Sequence, residues 1–118
     1  MKIKKPLKED QIQSNFVSIY RMRYPDIPIH ADSSGVRLTI GSAMKMKRMG
    51  RLTGWPDLFI PKPVKSYHGL FIEMKTPDGD VSPEQKEMHA YLLSVGYYVT
   101  VCRSVQEAMD AVHKYFNA

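Results

Sequence analysis

Between Gly54 and Gln85 the chain carries Gly-Trp-Pro-Asp-Leu, a short basic connection, Gly-Leu-Phe-Ile-Glu-Met-Lys and Ser-Pro-Glu-Gln, and this stretch limits what the rest can be. Around Glu73 the residues alternate: Leu70, Ile72 and Met74 point one way, Phe71, Glu73 and Lys75 the other. That alternation predicts a strand with a carboxylate and an ammonium side by side on one face. Asp57 opens a second apolar run, Asp57-Leu58-Phe59-Ile60, closed by Pro61. An antiparallel hairpin across Lys62–Tyr67 would set the start of the first strand beside the end of the second. Asp57, Glu73 and Lys75 would then converge on one polar edge.

Two carboxylates that share a divalent cation, with a lysine beside them, are suited to phosphodiester hydrolysis. That reaction needs a positioned water, neutralised charge on the phosphorane and help for the leaving oxygen. Asp57 and Glu73 can hold Mg²⁺ or Mn²⁺, with the backbone carbonyl of Met74 as a further ligand. Lys75 can orient or deprotonate the water, for which its pKa must be lowered. The trio alone is a weak signal, because a cross-strand ion pair on a wet sheet face has the same pattern.

Charge adds to it. Met1–Arg51 holds eleven Lys/Arg against four Asp/Glu, a net of +7, whereas Leu52–Ala118 holds six against eight, a net of −2. The first half reads as a polyanion-binding surface or as a merely solvated face; charge alone does not separate them. Its most basic piece, Gly41–Arg51, places Lys45, Lys47, Arg48 and Arg51 at helical spacings that could bridge phosphates. Met44, Met46 and Met49 between them read as core filler.

With 118 residues the chain has the length of one domain, and 43% hydrophobic content suffices for a core. Met1–Leu7 reads as a flexible basic tail ahead of a single domain over Lys8–Ala118. A helix is expected from Lys8 to before Pro25, and short strands over Ile27–His30 and Val36–Ile40. Asp32-Ser33-Ser34-Gly35 has turn chemistry. Ser82-Pro83-Glu84-Gln85 is a helix start, with Met88, Tyr91, Leu92 and Val95 as the buried stripe and Gly96 as the stop. Tyr97–Cys102 is a strand, and Ser104 opens a last helix burying Met109, Val112 and Phe116. The fold class is α/β, a small mixed sheet flanked by helices.

Cys102, the single cysteine, excludes an intramolecular disulfide and reads as a buried structural thiol in a reducing compartment. No apolar stretch could span a bilayer, so an intracellular, cytoplasmic protein with no membrane partner and no small-molecule cofactor is expected. His30, His68, His89 and His113 lack ligand spacing, which argues against zinc. His68 reads as a surface or hydrogen-bonded histidine, and Trp55 as packing beneath the motif.

Gly-Trp-Pro-Asp-Leu-Phe-Ile-Pro, Tyr-His-Gly-Leu-Phe-Ile-Glu-Met-Lys-Thr-Pro, Gly-Asp-Val-Ser-Pro-Glu-Gln, Gly-Tyr-Tyr-Val and Val-Cys-Arg-Ser, in that order, resemble the VRR-NUC domain, a branch of the PD-(D/E)XK nuclease superfamily. The dense matches run from Gly54 to Ala108, and Lys8–Pro25 is similar to the family's first helix. The resemblance implies a restriction-endonuclease-like core and a metal-dependent DNA nuclease with Asp57, Glu73 and Lys75 at the motif positions. It also implies supporting catalytic roles for Glu9 and for Gln85; read from the residues alone, these are a helix N-terminal carboxylate and a capping-box residue. The chain departs from the family where Ile-Pro-Asn-Gly is common, having His30-Ala31-Asp32-Ser33-Ser34-Gly35 instead. Stand-alone domains of this size, of the phage or bacterial type, resemble Holliday-junction resolvases that act as homodimers on branched DNA. A nickase, flap nuclease or exonuclease is the alternative among enzymes, and a non-catalytic DNA-binding module the alternative outside them.

Overall fold

Leu70, Ile72 and Met74 are completely buried, and the layer they form is the one on which both terminal helices pack. The computed structural model describes residues 8–32 and 39–118. In chain order the elements are α1 (Glu9–Arg23), β1 (His30–Ala31), α2 (Ile40–Arg48), β2 (Leu58–Ile60), β3 (Leu70–Met74), α3 (Pro83–Ser94), β4 (Tyr98–Cys102) and α4 (Val105–Phe116). The sheet runs β1-β2-β3-β4; the first two pairings are antiparallel and β3-β4 is parallel. It is the mixed sheet between helices that the sequence leads one to expect. Among the described residues no helix is long and apolar enough to cross a membrane.

The hairpin has the expected register: Leu58 lies opposite Ile72, and Ile60 opposite Leu70. A parallel neighbour cannot be reached by a tight turn, so α3 serves as the crossover from β3 to β4. On one sheet face, Ile12, Phe16 and Tyr20 of α1 recur every fourth residue and meet Ala108, Val112 and Tyr115 of α4 over β3. Met109 and Phe116 pack at the margin of that core. Cys102 belongs to it, and burial pushes its thiol up to about 11, as befits a structural residue. Phe71 and Glu73 face the opposite way and are covered from the α3 side.

Several expectations fail for identifiable reasons. Ile40 is the first residue of α2 rather than the end of a strand, because Thr39 acts as an N-cap, its Oγ1 accepting the Ser42 N–H at 3.1 Å. Positions 36–38 of that expected strand lie outside the described residues. So do positions 33–35 of the expected turn and all of 1–7. Of the expected strand over Ile27–His30 only His30 is strand, and β1 continues one residue beyond it to Ala31. The methionines of the basic segment are not core filler: Met44 is 57% and Met49 72% exposed, and α2 buries no residue. In α3 the buried residues are His89 and Leu92, while Tyr91 and Val95 of the expected stripe are exposed.

Candidate metal centre

Pro56 and Asp57 are buried directly ahead of β2, and Asp57 is held twice. Its carbonyl oxygen accepts the Asp32 N–H at 2.8 Å, which extends the β1–β2 pairing by one bond. Its Oδ2 accepts the Met74 N–H at 2.7 Å from across the hairpin. Glu73 comes from β3 and Glu9 from the first turn of α1. One ligand oxygen from each of Glu9, Asp57 and Glu73 lies within 4.8 Å of the other two. The convergence of Asp57 and Glu73 thus follows the hairpin, but on a buried edge. Glu73 is 0% exposed, and Asp57 and Lys75 are each 9% exposed, on a surface expected to be wet.

Two buried carboxyls beside the half-buried Glu9 resist ionisation. Burial first, and then the neighbouring Glu73, push the Asp57 carboxyl up to about 8; the Met74 N–H and the Lys75 ammonium pull it partly back. Burial likewise raises Glu73 and Glu9, with Lys75 opposing both shifts. Glu73 Oε1 meets His89 Nε2 at 3.1 Å, whereas Glu73 Oε2 is buried with no partner among the described residues. A buried orphan oxygen costs about 1–3 kcal/mol. A hard divalent cation at Glu9, Asp57 and Glu73 would remove that cost, and an all-oxygen donor set suits Mg²⁺ or Mn²⁺.

Lys75 follows Glu73 on the same face, and its N–H donates to the Cys102 carbonyl at 2.9 Å, which continues the β3–β4 ladder past the acids. The loop after it is tied down by Arg103, whose Nη1 donates to the Thr76 carbonyl at 2.9 Å and the Gly79 carbonyl at 2.5 Å. Gln85 forms the capping box: its Oε1 accepts the Ser82 N–H at 2.9 Å and its own N–H donates to Ser82 Oγ at 3.1 Å. Lys47 and Arg51 come together, lining a hollow of about 340 Å³ with Ala43, Leu52, Thr53 and Gly54. Lys45 and Arg48 stand exposed on α2. Trp55 packs edge to face on Phe71, with centroids 5.4 Å apart. His68 lies away from the acids against Tyr97.

Sequence reasoning missed His89 and Arg103. The signal for His89 was its place one helical turn after Gln85, which put both on one face of α3. Arg103 fell inside a matched motif but had no assigned partner until the loop carbonyls were seen around it.

The VRR-NUC domain family profile matches residues 7–106. A solved structure titled "VRR_NUC domain protein" superposes with a TM-score of 0.79 at 28% identity, covering 97% of this chain and 92% of that one. No curated protein matches the chain.

Proposed function

The chain belongs to the VRR-NUC domain family, and on that premise we propose that it is a metal-dependent deoxyribonuclease that resolves branched DNA as a homodimer. Family membership gives a nuclease-type domain whose substrate is DNA. The observation that supports metal dependence is the trio of Glu9, Asp57 and Glu73, with one buried oxygen unpartnered among the described residues.

In this reading Glu9, Asp57, Glu73 and the Met74 carbonyl hold Mg²⁺ or Mn²⁺. The bound ion supplies Lewis-acid stabilisation of the phosphorane and lowers the pKa of water. Lys75 directs its ammonium at the attacked phosphate and orients the water, offsetting negative charge as it develops. The Met74 N–H fixes Asp57, and Gln85 supports the site from the start of α3. Lys45, Lys47, Arg48 and Arg51 bind phosphates along the approaching strand. The hollow lined by Lys47 and Arg51 ends at Gly54, three residues before Asp57 in the chain, which supports placing the basic segment beside the approach to the acids.

Two nicks across a four-way junction need two sites related by a two-fold axis, hence a homodimer. The test is cleavage of a panel of branched and linear DNAs with Mg²⁺ or Mn²⁺, alongside light scattering. A particle near twice the 13.6 kDa chain mass that linearises a cruciform plasmid by coupled nicks supports the proposal. A monomer that only nicks the cruciform removes the resolvase reading and leaves the nuclease reading in place.

A further inference from the structure

His89 was not part of the site as the sequence presents it, yet its ring nitrogen lies within hydrogen-bond distance of Glu73. It stands on α3, is 9% exposed, and meets Glu73 Oε1 at 3.1 Å. The ionised Glu73 that would bind a cation only accepts, and toward it the imidazole donates as the Nε2–H tautomer. The terminal torsion of a glutamate is broad and two-fold, so strand β3 alone does not decide which oxygen faces Asp57 and Glu9. With Oε1 engaged by His89, Oε2 is the oxygen left unpartnered. We infer that His89 is a positioning residue for Glu73, holding Oε1 so that Oε2 is presented as a ligand for a divalent cation. The inference rests on the metal-dependent reading proposed above.

The orientation of α3 supports it. Met88, Tyr91 and Val95 could have supplied an apolar contact with the sheet, yet the helix turns His89 and Leu92 inward. A buried histidine where an apolar residue would pack more favourably is accounted for by the buried acid it serves. Partners of this kind, one shell out from a metal, typically carry about 10–100-fold in metal affinity.

The test is calorimetric titration of Mn²⁺ into the full chain without DNA, comparing wild type with His89→Leu and His89→Gln. His89→Leu removes the donor while keeping an inward apolar group; His89→Gln keeps a donor at similar reach. The expected result is a roughly 10–100-fold loss of Mn²⁺ affinity in His89→Leu, largely recovered in His89→Gln. A merely structural histidine would change the melting temperature in EDTA without this ordering. Equal affinity in wild type and a folded His89→Leu would overturn the positioning role alone, whereas wild type that takes up no Mn²⁺ would overturn it together with the metal-dependent reading. Nitrogen NMR of the wild-type ring needs no variant. Nε2 should remain protonated when Mg²⁺ is added; loss of that proton would make His89 a ligand and contradict the assignment.

Discussion

The Met74 N–H donates to Asp57 Oδ2 at 2.7 Å, a bond from the backbone between Glu73 and Lys75 to the acid on the neighbouring strand. One residue of β3 therefore fixes the distance between the two motif acids. The hairpin register and the site geometry are the same constraint, so a slip of one residue would invert both. The consequence is a site whose two motif acids are brought together by folding itself, before any cation arrives.

Replacing Glu73 by Gln should separate stability from function. The amide keeps an acceptor for His89 and supplies a donor where Oε2 has no partner, relieving a buried charge at the same time. The metal-free protein should gain about 1–3 kcal/mol in urea denaturation, while Mg²⁺-dependent cleavage is lost. A loss of stability in Glu73→Gln would mean that the carboxylate is held by something other than the His89 bond and the neighbouring acids.

The pH dependence of the metal-free protein follows from the same burial. An ordinary Asp titrates near 3.8, but Asp57 does so at about 8, so between those values the unfolded chain ionises and the folded one does not. Stability therefore falls as pH rises through that window and levels off above it, and Glu73 and Glu9 act with the same sign. His89 works the other way: its pKa is lowered below 6.5, chiefly by burial, so it costs stability as pH falls through 6.5. Melting in EDTA from pH 6.5 to 8, where the carboxyls outweigh the fading His89 effect, should show a falling midpoint. Mg²⁺ should restore it, and by more at pH 8, since the cation binds the ionised carboxyls and Asp57 ionises at about 8.

Gly54 has φ +86, and a Cβ there would lie 2.6 Å from the Glu84 carbonyl oxygen and 2.7 Å from its carbonyl carbon. The turn before Asp57 thus touches the backbone of the first turn of α3, which carries Gln85 and, one turn on, His89. Gly54→Ala should cost roughly 1–3 kcal/mol from the left-handed backbone alone, with more from pushing α3 away. Cleavage should fall further than the stability loss explains. Urea melts with single-turnover assays at a temperature where the variant is folded would check this.

How much was legible in the sequence depends on the range of the forces involved. The Ser82 capping box and the Ser104 cap of α4 rest on contacts three residues apart. The β2–β3 hairpin joins two strands adjacent in sequence whose alternation and bounding residues are local, so all three stand where local chemistry put them. The buried face of α3 was not legible. Apolar content favoured Met88, Tyr91 and Val95, whereas a buried acid sixteen residues away decided for His89. Burial of Glu73 was missed for a related reason: alternation assigns Glu73 to the polar face without showing that α3 covers it. The exposed methionines of α2 show the opposite error, an apolar stripe with no partner among the described elements.

Neutralising Lys45, Lys47, Arg48 and Arg51 together should weaken DNA binding for every sequence. The slope of log affinity against log salt should shrink by about 0.9 per phosphate contact removed, up to about four units. The pair Lys47 and Arg51, which share a hollow, should account for about half of that. An unchanged slope would make the segment a solvated face.

The most direct measurement is a time course on an end-labelled four-way junction, with wild type and Glu73→Gln run side by side in Mg²⁺ and in EDTA. The account predicts cleavage by wild type in Mg²⁺ alone, none by wild type in EDTA, and none by folded, DNA-binding Glu73→Gln in either. Wild-type cleavage that persists in EDTA, or a Glu73→Gln variant that cuts at the wild-type rate, would contradict it.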